Sequence, residues 1–207
     1  MVRTANELRV IVRIRLVTAA TPPATYFPSD DLAARWINGI NSIWNNKFRM
    51  INGKSQAESP NRLDIVFLPF FTETDPHHTV TLHPAGGTAS ESDWYETDSG
   101  ITAAHEFGHM LGNPDEYNIP GKIGEIPQTG DFASLTPSER ARTSVEGIYG
   151  RGRPAVPGGY SLPTIMGASQ EGPRPTTVEL RHVQNIVSWY NANFKPAGEP
   201  SYRPVFR

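Results

Sequence analysis

The chain has no cysteine among its 207 residues. Disulfides and thiolate metal ligands are therefore excluded, and any metal must be held by His, Asp or Glu, which suits a catalytic site better than a thiolate-rich structural one. The redox compartment stays open, because a chain without cysteine works in either environment. Neither sign of charge is in large excess: 19 Lys and Arg against 21 Asp and Glu give a formal net charge of -2. The basic residues are scattered, with no basic stripe to support a nucleic-acid partner, and the short RGR at 151–153 reads as a solvated loop. Long apolar runs are also missing. In the N-terminal MVRTANELRVIVRIRLVTAA, arginines interrupt the apolar stretch, which excludes a cleavable signal peptide and a membrane span there. The expected alternatives are a mature form, an excised domain or a protein exported without a cleaved signal, and secretion or export is favoured. No internal repeat or low-complexity tract is evident. The length suits one domain over 1–207 with a core at 7–195 and a tail at 196–207, large enough for a cleft, and a monomer is expected.

Alternation organises the start of the chain. In RVIVRIRLV, Val10, Val12, Ile14 and Leu16 alternate with Arg9, Ile11, Arg13 and Arg15, the period of a half-buried strand. PSDDLAARWINGINSIWNNKF then offers Ser29 as N-cap, Asp30 and Asp31 in the first turn, and a stripe of Leu32, Trp36, Ile40, Ile43, Trp44 and Phe48, which predicts an amphipathic helix. RLDIVFLPF is nearly continuous in apolar character and predicts a strand buried on both faces. TVTLH and DWYET are weaker strand candidates. Residues 118–163 are rich in Gly and Pro and read as a long ordered loop shaping access to a site, with one short helix begun by Thr136, Pro137 and Glu139. TTVELRHVQNIVSWYNANF closes the domain as a helix with Thr176 and Glu179 as capping box and Leu180, Val183, Val187, Tyr190 and Phe194 as its stripe.

The chemistry concentrates in HEFGHMLGNPDEY, residues 105–117. A helix puts residues i and i+4 on one face, so His105 and His109 can present two imidazole nitrogens to one ion, with Glu106 beside them. Two neutral imidazoles leave a zinc ion enough positive charge to activate water, and a neighbouring carboxylate can take the proton. Asp98 or Ser99 caps a helix that begins near Gly100, and Gly112, Asn113 and Pro114 end it. Chance alone places H-E-x-x-H in about 1% of shuffled chains of this composition, before a helix is required. The competing reading, two exposed histidines on a surface helix, is much the weaker once that context is counted.

His105, Glu106, His109, Gly112 and Asp115 together resemble the extended H-E-x-x-H-x-x-G-x-x-D pattern of the snapalysin-like zinc metalloproteases, a branch of the metzincins. Met166, in PTIMGAS, resembles the Met-turn beneath the metzincin zinc. The order of strand, helix, strands, active-site helix, Met-turn and closing helix is similar over residues 7–195. The resemblance implies an α+β, zincin-like fold with a twisted sheet, and one catalytic Zn2+ held by His105, His109 and Asp115 with water in the fourth position. Gly112 would supply the turn that returns Asp115 to the metal, while Glu116, Glu146 and Glu171 stay open as competing carboxylates. It also implies an endopeptidase acting on extended peptide or protein substrates, with Glu106 as general base. The span from Asp115 to Met166 is long for the family, and the Met-turn lacks the nearby tyrosine that some members use. Tyr117 and Tyr160 are therefore the candidate oxyanion stabilisers.

The remaining residues are less specific. His77, His78 and His83 could reach the cleft or hold a second metal, although surface histidines in a polar loop are the commoner case. His182 reads as packed or partly exposed. Glu91, Asp93 and Asp98 could bind Ca2+, but their spacing matches no calcium loop, and turn or cap roles suffice. Two other functions stay open: a zinc-dependent binding module that does not cleave, and a protease toxin delivered by a secretion system. Glu106 weighs against the first, since a structural site has no use for a general base.

Overall fold

The computed structural model describes residues 1–20, 24–53, 61–113, 117–118, 160–161, 164–167 and 176–207. A two-residue strand, β1 (Val2–Arg3), turns back antiparallel onto the long β2 (Glu7–Thr18). Leu8, Val10, Val12, Ile14 and Leu16 of β2 are buried and the residues between them are not, as its period of two requires. The chain continues through β3 (Thr25–Tyr26), α1 (Asp30–Trp44), β4 (Phe48–Ile51), β5 (Arg62–Phe71), β6 (His78–His83), β7 (Asp93–Tyr95) and α2 (Gly100–Met110). After α2 come the short strands β8 (Tyr117–Asn118) and β9 (Tyr160–Ser161), a 3-10 turn at Leu180–Val183, α3 (Gln184–Asn193) and β10 (Arg203–Phe206). Among the described residues eight strands make one mixed sheet in the order β10-β4-β5-β2-β6-β7, with β1 and β3 also paired to β2. The parallel neighbours β5 and β6 take opposite edges of β2, and the connection from β2 to β5 carries α1. The architecture is thus α+β. No helix among the described residues is long and apolar enough to cross a membrane.

The first helix forms as its sequence dictates. The Ser29 side chain accepts a hydrogen bond from the Leu32 N–H at 3.3 Å, Asp30 and Asp31 occupy the positive first turn, and Leu32, Trp36, Ile40, Ile43 and Trp44 are buried. It stops at Trp44, because Asn46 takes a left-handed conformation (φ 61°), so Phe48 belongs to β4 and not to the helical stripe. Two indoles fasten α1 to the segment that carries the histidines: Trp36 Nε1 donates to the Asp98 carbonyl at 3.0 Å and Trp44 Nε1 to the Ala104 carbonyl at 2.9 Å. The helices touch through Gly39 and Gly100, where a Cβ on either would overlap the other's backbone.

Three expectations are corrected. β5 buries Leu63, Ile65 and Phe67 but leaves Leu68 and Phe70 exposed at 38% and 42%, because the helices cover one face of the sheet only. On the other face of the sheet local carboxylates offset several arginines: Arg9 pairs with Glu7, Arg13 with Asp75, and Arg49 with Asp64. The segment read as a tail is part of the fold, since β10 pairs antiparallel with β4, Tyr202 is buried, and Glu199 receives two hydrogen bonds from Arg3 at 3.1 Å. A core of 7–195 is accordingly too narrow at both ends. The closing helix begins later than its sequence suggested. Thr177 stays outside the helix, its carbonyl accepting the Ile165 N–H, and the capping box is made by Glu179 with His182. Phe194 is then exposed beside Trp189 instead of lying in the buried stripe. The helix expected at Thr136, Pro137 and Glu139 lies outside the described residues.

Candidate metal centre

The helix bearing the histidines is held in the core. Ser99 is its N-cap, accepting the Thr102 N–H at 3.1 Å, whereas Asp98 accepts the Tyr95 N–H at 2.8 Å and so organises the preceding turn. Ala103, Ala104 and Phe107 pack inward, the last edge-on to Trp44 and Phe67. The fixed helix places His105 and His109 one turn apart with perpendicular rings, centroids 4.9 Å apart. His105 and Glu106 are each 2% exposed, and His109 is partly exposed.

The hydrogen bonds around the two imidazoles assign their tautomers. His105 Nδ1 lies 2.6 Å from the Ile165 carbonyl and His109 Nδ1 lies 2.8 Å from the Asn113 carbonyl. A carbonyl only accepts, so both Nδ1 atoms carry hydrogen, and in neutral imidazoles both Nε2 atoms then carry lone pairs. Those two acceptors face each other at 3.2 Å. Two lone pairs at that separation repel, so a proton or a metal ion must lie between them. Two nitrogens on a tetrahedral zinc, each about 2.0–2.1 Å from the metal, would be about 3.3 Å apart. The donor set therefore fits such an ion. Glu106 Oε1 is 3.9 Å from His105 Nε2, and ligand atoms of His105, Glu106 and His109 lie within 4.8 Å of one another.

Met166 lies against the same turn of helix. It is fully buried, and a Cβ added at Gly108, between the two histidines, would overlap its Sδ and come within 3.1 Å of Trp44 Cζ2. The turn at 164–167 closes with the Gly167 N–H on the Thr164 carbonyl at 2.9 Å, so one short segment supplies both the carbonyl that orients His105 and the thioether under the helix. Gly112 has φ +85°, the left-handed conformation that ends α2 and turns the chain. Asp115, Glu116, Glu146 and Glu171 lie outside the described residues. Tyr117 and Tyr160 lie on neighbouring strands, Tyr117 opposite Ser161 and Asn118 opposite Tyr160, so the segment after the motif pairs with the one leading to Met166.

The other histidines separate. His77 Nδ1 accepts the Arg13 N–H at 3.1 Å. His78 opens β6, and burial holds its imidazole below the ordinary range, with the charge of His77 adding to the effect. His83 ends the same strand, roughly 17 Å farther along at about 3.3 Å per residue. It meets Asp93 Oδ1 at 2.9 Å and stacks on Tyr95. His83, then Ser92 and Ser90, hold the Asp93 carboxyl below the usual range. Among the described residues the only group of three or more such side chains close enough to hold a metal is His105, Glu106 and His109. His182 is packed against Trp44, 2% exposed.

Sequence reasoning missed the two carbonyls. That of Ile165 has no side-chain signature, and the sequence marks Asn113 only as a helix stop. The sole hint of a close approach is the glycine in HEFGH. No family model, curated protein or solved structure matches the chain.

Proposed function

We propose that the protein is a zinc-dependent endopeptidase of metzincin-like fold. The observation that carries this reading is the pair of Nε2 atoms 3.2 Å apart, each with its Nδ1 on a backbone carbonyl, and the Glu106 carboxylate buried beside them. His105 and His109 would hold the ion through Nε2, and Asp115 would complete the protein ligands, as the H-x-x-G-x-x-D spacing implies. Zinc bound there supplies a Lewis acid and brings its water to a pKa of about 7. Glu106 accepts the proton of the attacking water at a carboxylate oxygen and passes it to the leaving amine. Its burial sharpens that role, since water does not compete for the carboxylate. The carbonyls of Ile165 and Asn113 keep both histidines in the ligating tautomer. Met166 supports the helix from below, in the manner of a Met-turn. Tyr117 or Tyr160 would donate a hydrogen bond to the developing oxyanion. The substrate is an extended peptide lying along a sheet edge, for which β7, last in the sheet order and next before α2 in the chain, is the candidate.

A non-catalytic zinc module is disfavoured by the same buried carboxylate. The test is cleavage of a broad peptide library by the wild type and Glu106→Gln. Hydrolysis that falls by about 10²–10⁴-fold in the variant supports the reading. Cleavage by neither protein, or equally by both, overturns it.

A further inference from the structure

The end of α2 has the backbone pattern of a Schellman motif. The Gly112 N–H donates to the His109 carbonyl at 2.8 Å, and the Asn113 N–H donates to the Gly108 carbonyl at 3.0 Å across the left-handed Gly112. Such motifs are commonly completed by a hydrophobic contact between the second residue past the cap, here Asn113, and the residue whose carbonyl it reaches, here Gly108. That contact cannot form in this chain. Gly108 has no side chain, and Met166 occupies the space one would fill.

A polar substitute takes its place. The Asn113 side chain turns back and donates from Nδ2 to the Gly108 carbonyl at 3.1 Å, while the residue is only 6% exposed. One residue thus grips Gly108 twice, with its backbone N–H and its amide, and offers its own carbonyl to His109 Nδ1 at 2.8 Å. Shift Asn113 and that carbonyl shifts too. His109 would then lose the acceptor that keeps hydrogen on Nδ1, and the other tautomer, in which Nε2 carries hydrogen and cannot ligate, would become accessible.

We infer that Asn113 is the positioning residue of the metal centre: its side-chain amide replaces the contact that Gly108 cannot make, and so fixes the carbonyl that presents His109 Nε2 to the ion. This rests on the metal-binding reading above. The residue touches neither the ion nor the substrate. It acts through His109, and loss of an outer hydrogen-bonding partner of this kind typically weakens metal binding about 10–100-fold.

The experiment compares the full chain with Asn113→Ala and with Ser99→Ala, which loosens the same helix from its other end without touching His109. Zinc affinity is measured by chelator competition, the cobalt-substituted protein by its visible absorption, and the His109 tautomer in the metal-free protein by imidazole nitrogen shifts. The expected result is a zinc affinity lowered about 10–100-fold in Asn113→Ala, an altered cobalt spectrum, and loss of the single Nδ1–H tautomer. Ser99→Ala should lower the melting temperature yet keep wild-type zinc affinity, spectrum and tautomer. If Asn113→Ala does not fold, Asn113→Ser, which keeps a shorter donor, should show the same changes in smaller degree. Equal loss of zinc affinity in Ser99→Ala and the Asn113 variant, or an unchanged His109 tautomer, overturns the positioning role while leaving the metal site standing. A wild type that binds no zinc overturns both.

Discussion

Alanine at Gly108 is a demanding test of how Met166 sits beneath the helix. In an exposed helix, Gly→Ala stabilises by about 1 kcal/mol through backbone entropy. Here the new methyl would land on Met166 Sδ and lie 3.1 Å from Trp44 Cζ2, and both side chains are fully buried. Overpacking of this kind costs about 1–3 kcal/mol. Taking the upper part of that range, because the methyl would overlap Met166 Sδ and the buried indole leaves that side chain little room to retreat, the net effect is a loss of about 2 kcal/mol. For a chain of this size that lowers the melting temperature by roughly 4–8 °C. Displacing Met166 also moves Ile165, whose carbonyl orients His105, so zinc affinity should fall about tenfold. Calorimetry and chelator competition measure the two effects. Combining Gly108→Ala with Met166→Ala should recover most of the overpacking, with a favourable coupling of about 2 kcal/mol in a double-mutant cycle. A Gly108→Ala protein about 1 kcal/mol more stable than the wild type, as free helix propensity would give, refutes the packing of Met166 on this turn.

The Arg3 guanidinium, and then the Tyr202 hydroxyl, hold the Glu199 carboxyl below the usual carboxylate range. A depressed carboxyl contributes stability that is present above its unfolded pKa of about 4.3 and is lost as pH falls through the lower folded value. Glu199→Gln should therefore cost about 0.5–1 kcal/mol at neutral pH and flatten the loss of stability below about pH 4.3; urea denaturation across pH would expose the error if the variant kept the wild-type slope. Asp115→Ala should abolish tight zinc binding while Glu116→Ala leaves it near normal, and zinc titrations giving the reverse order would reassign the third ligand.

The residues with strong periodicity gave up their structure directly. Ser29 with the Trp36 and Trp44 stripe, the alternating β2, and Ser99 with the Gly112 stop all appear where the sequence places them. The failures concern elements that exist only by pairing. The four residues of β4 follow a helix whose apolar spacing runs on into Phe48, and β10 has no pattern of its own until β4 lies beside it. Leu68 and Phe70 misled for a different reason, since an apolar run says nothing of which face other elements cover. At the site, the histidines and Glu106 were legible because helical spacing fixes their geometry. Asn113 and Ile165 were not, because each acts on a histidine through its backbone carbonyl, which any residue possesses.

The most direct measurement is the zinc content of the purified protein, by elemental analysis after dialysis against trace metal, beside His105→Ala and His109→Ala. Two facing Nε2 lone pairs predict about one zinc per chain in the wild type and little in either variant. Zinc retained in full by both variants, or absent from a folded wild type, would contradict the metal centre proposed here.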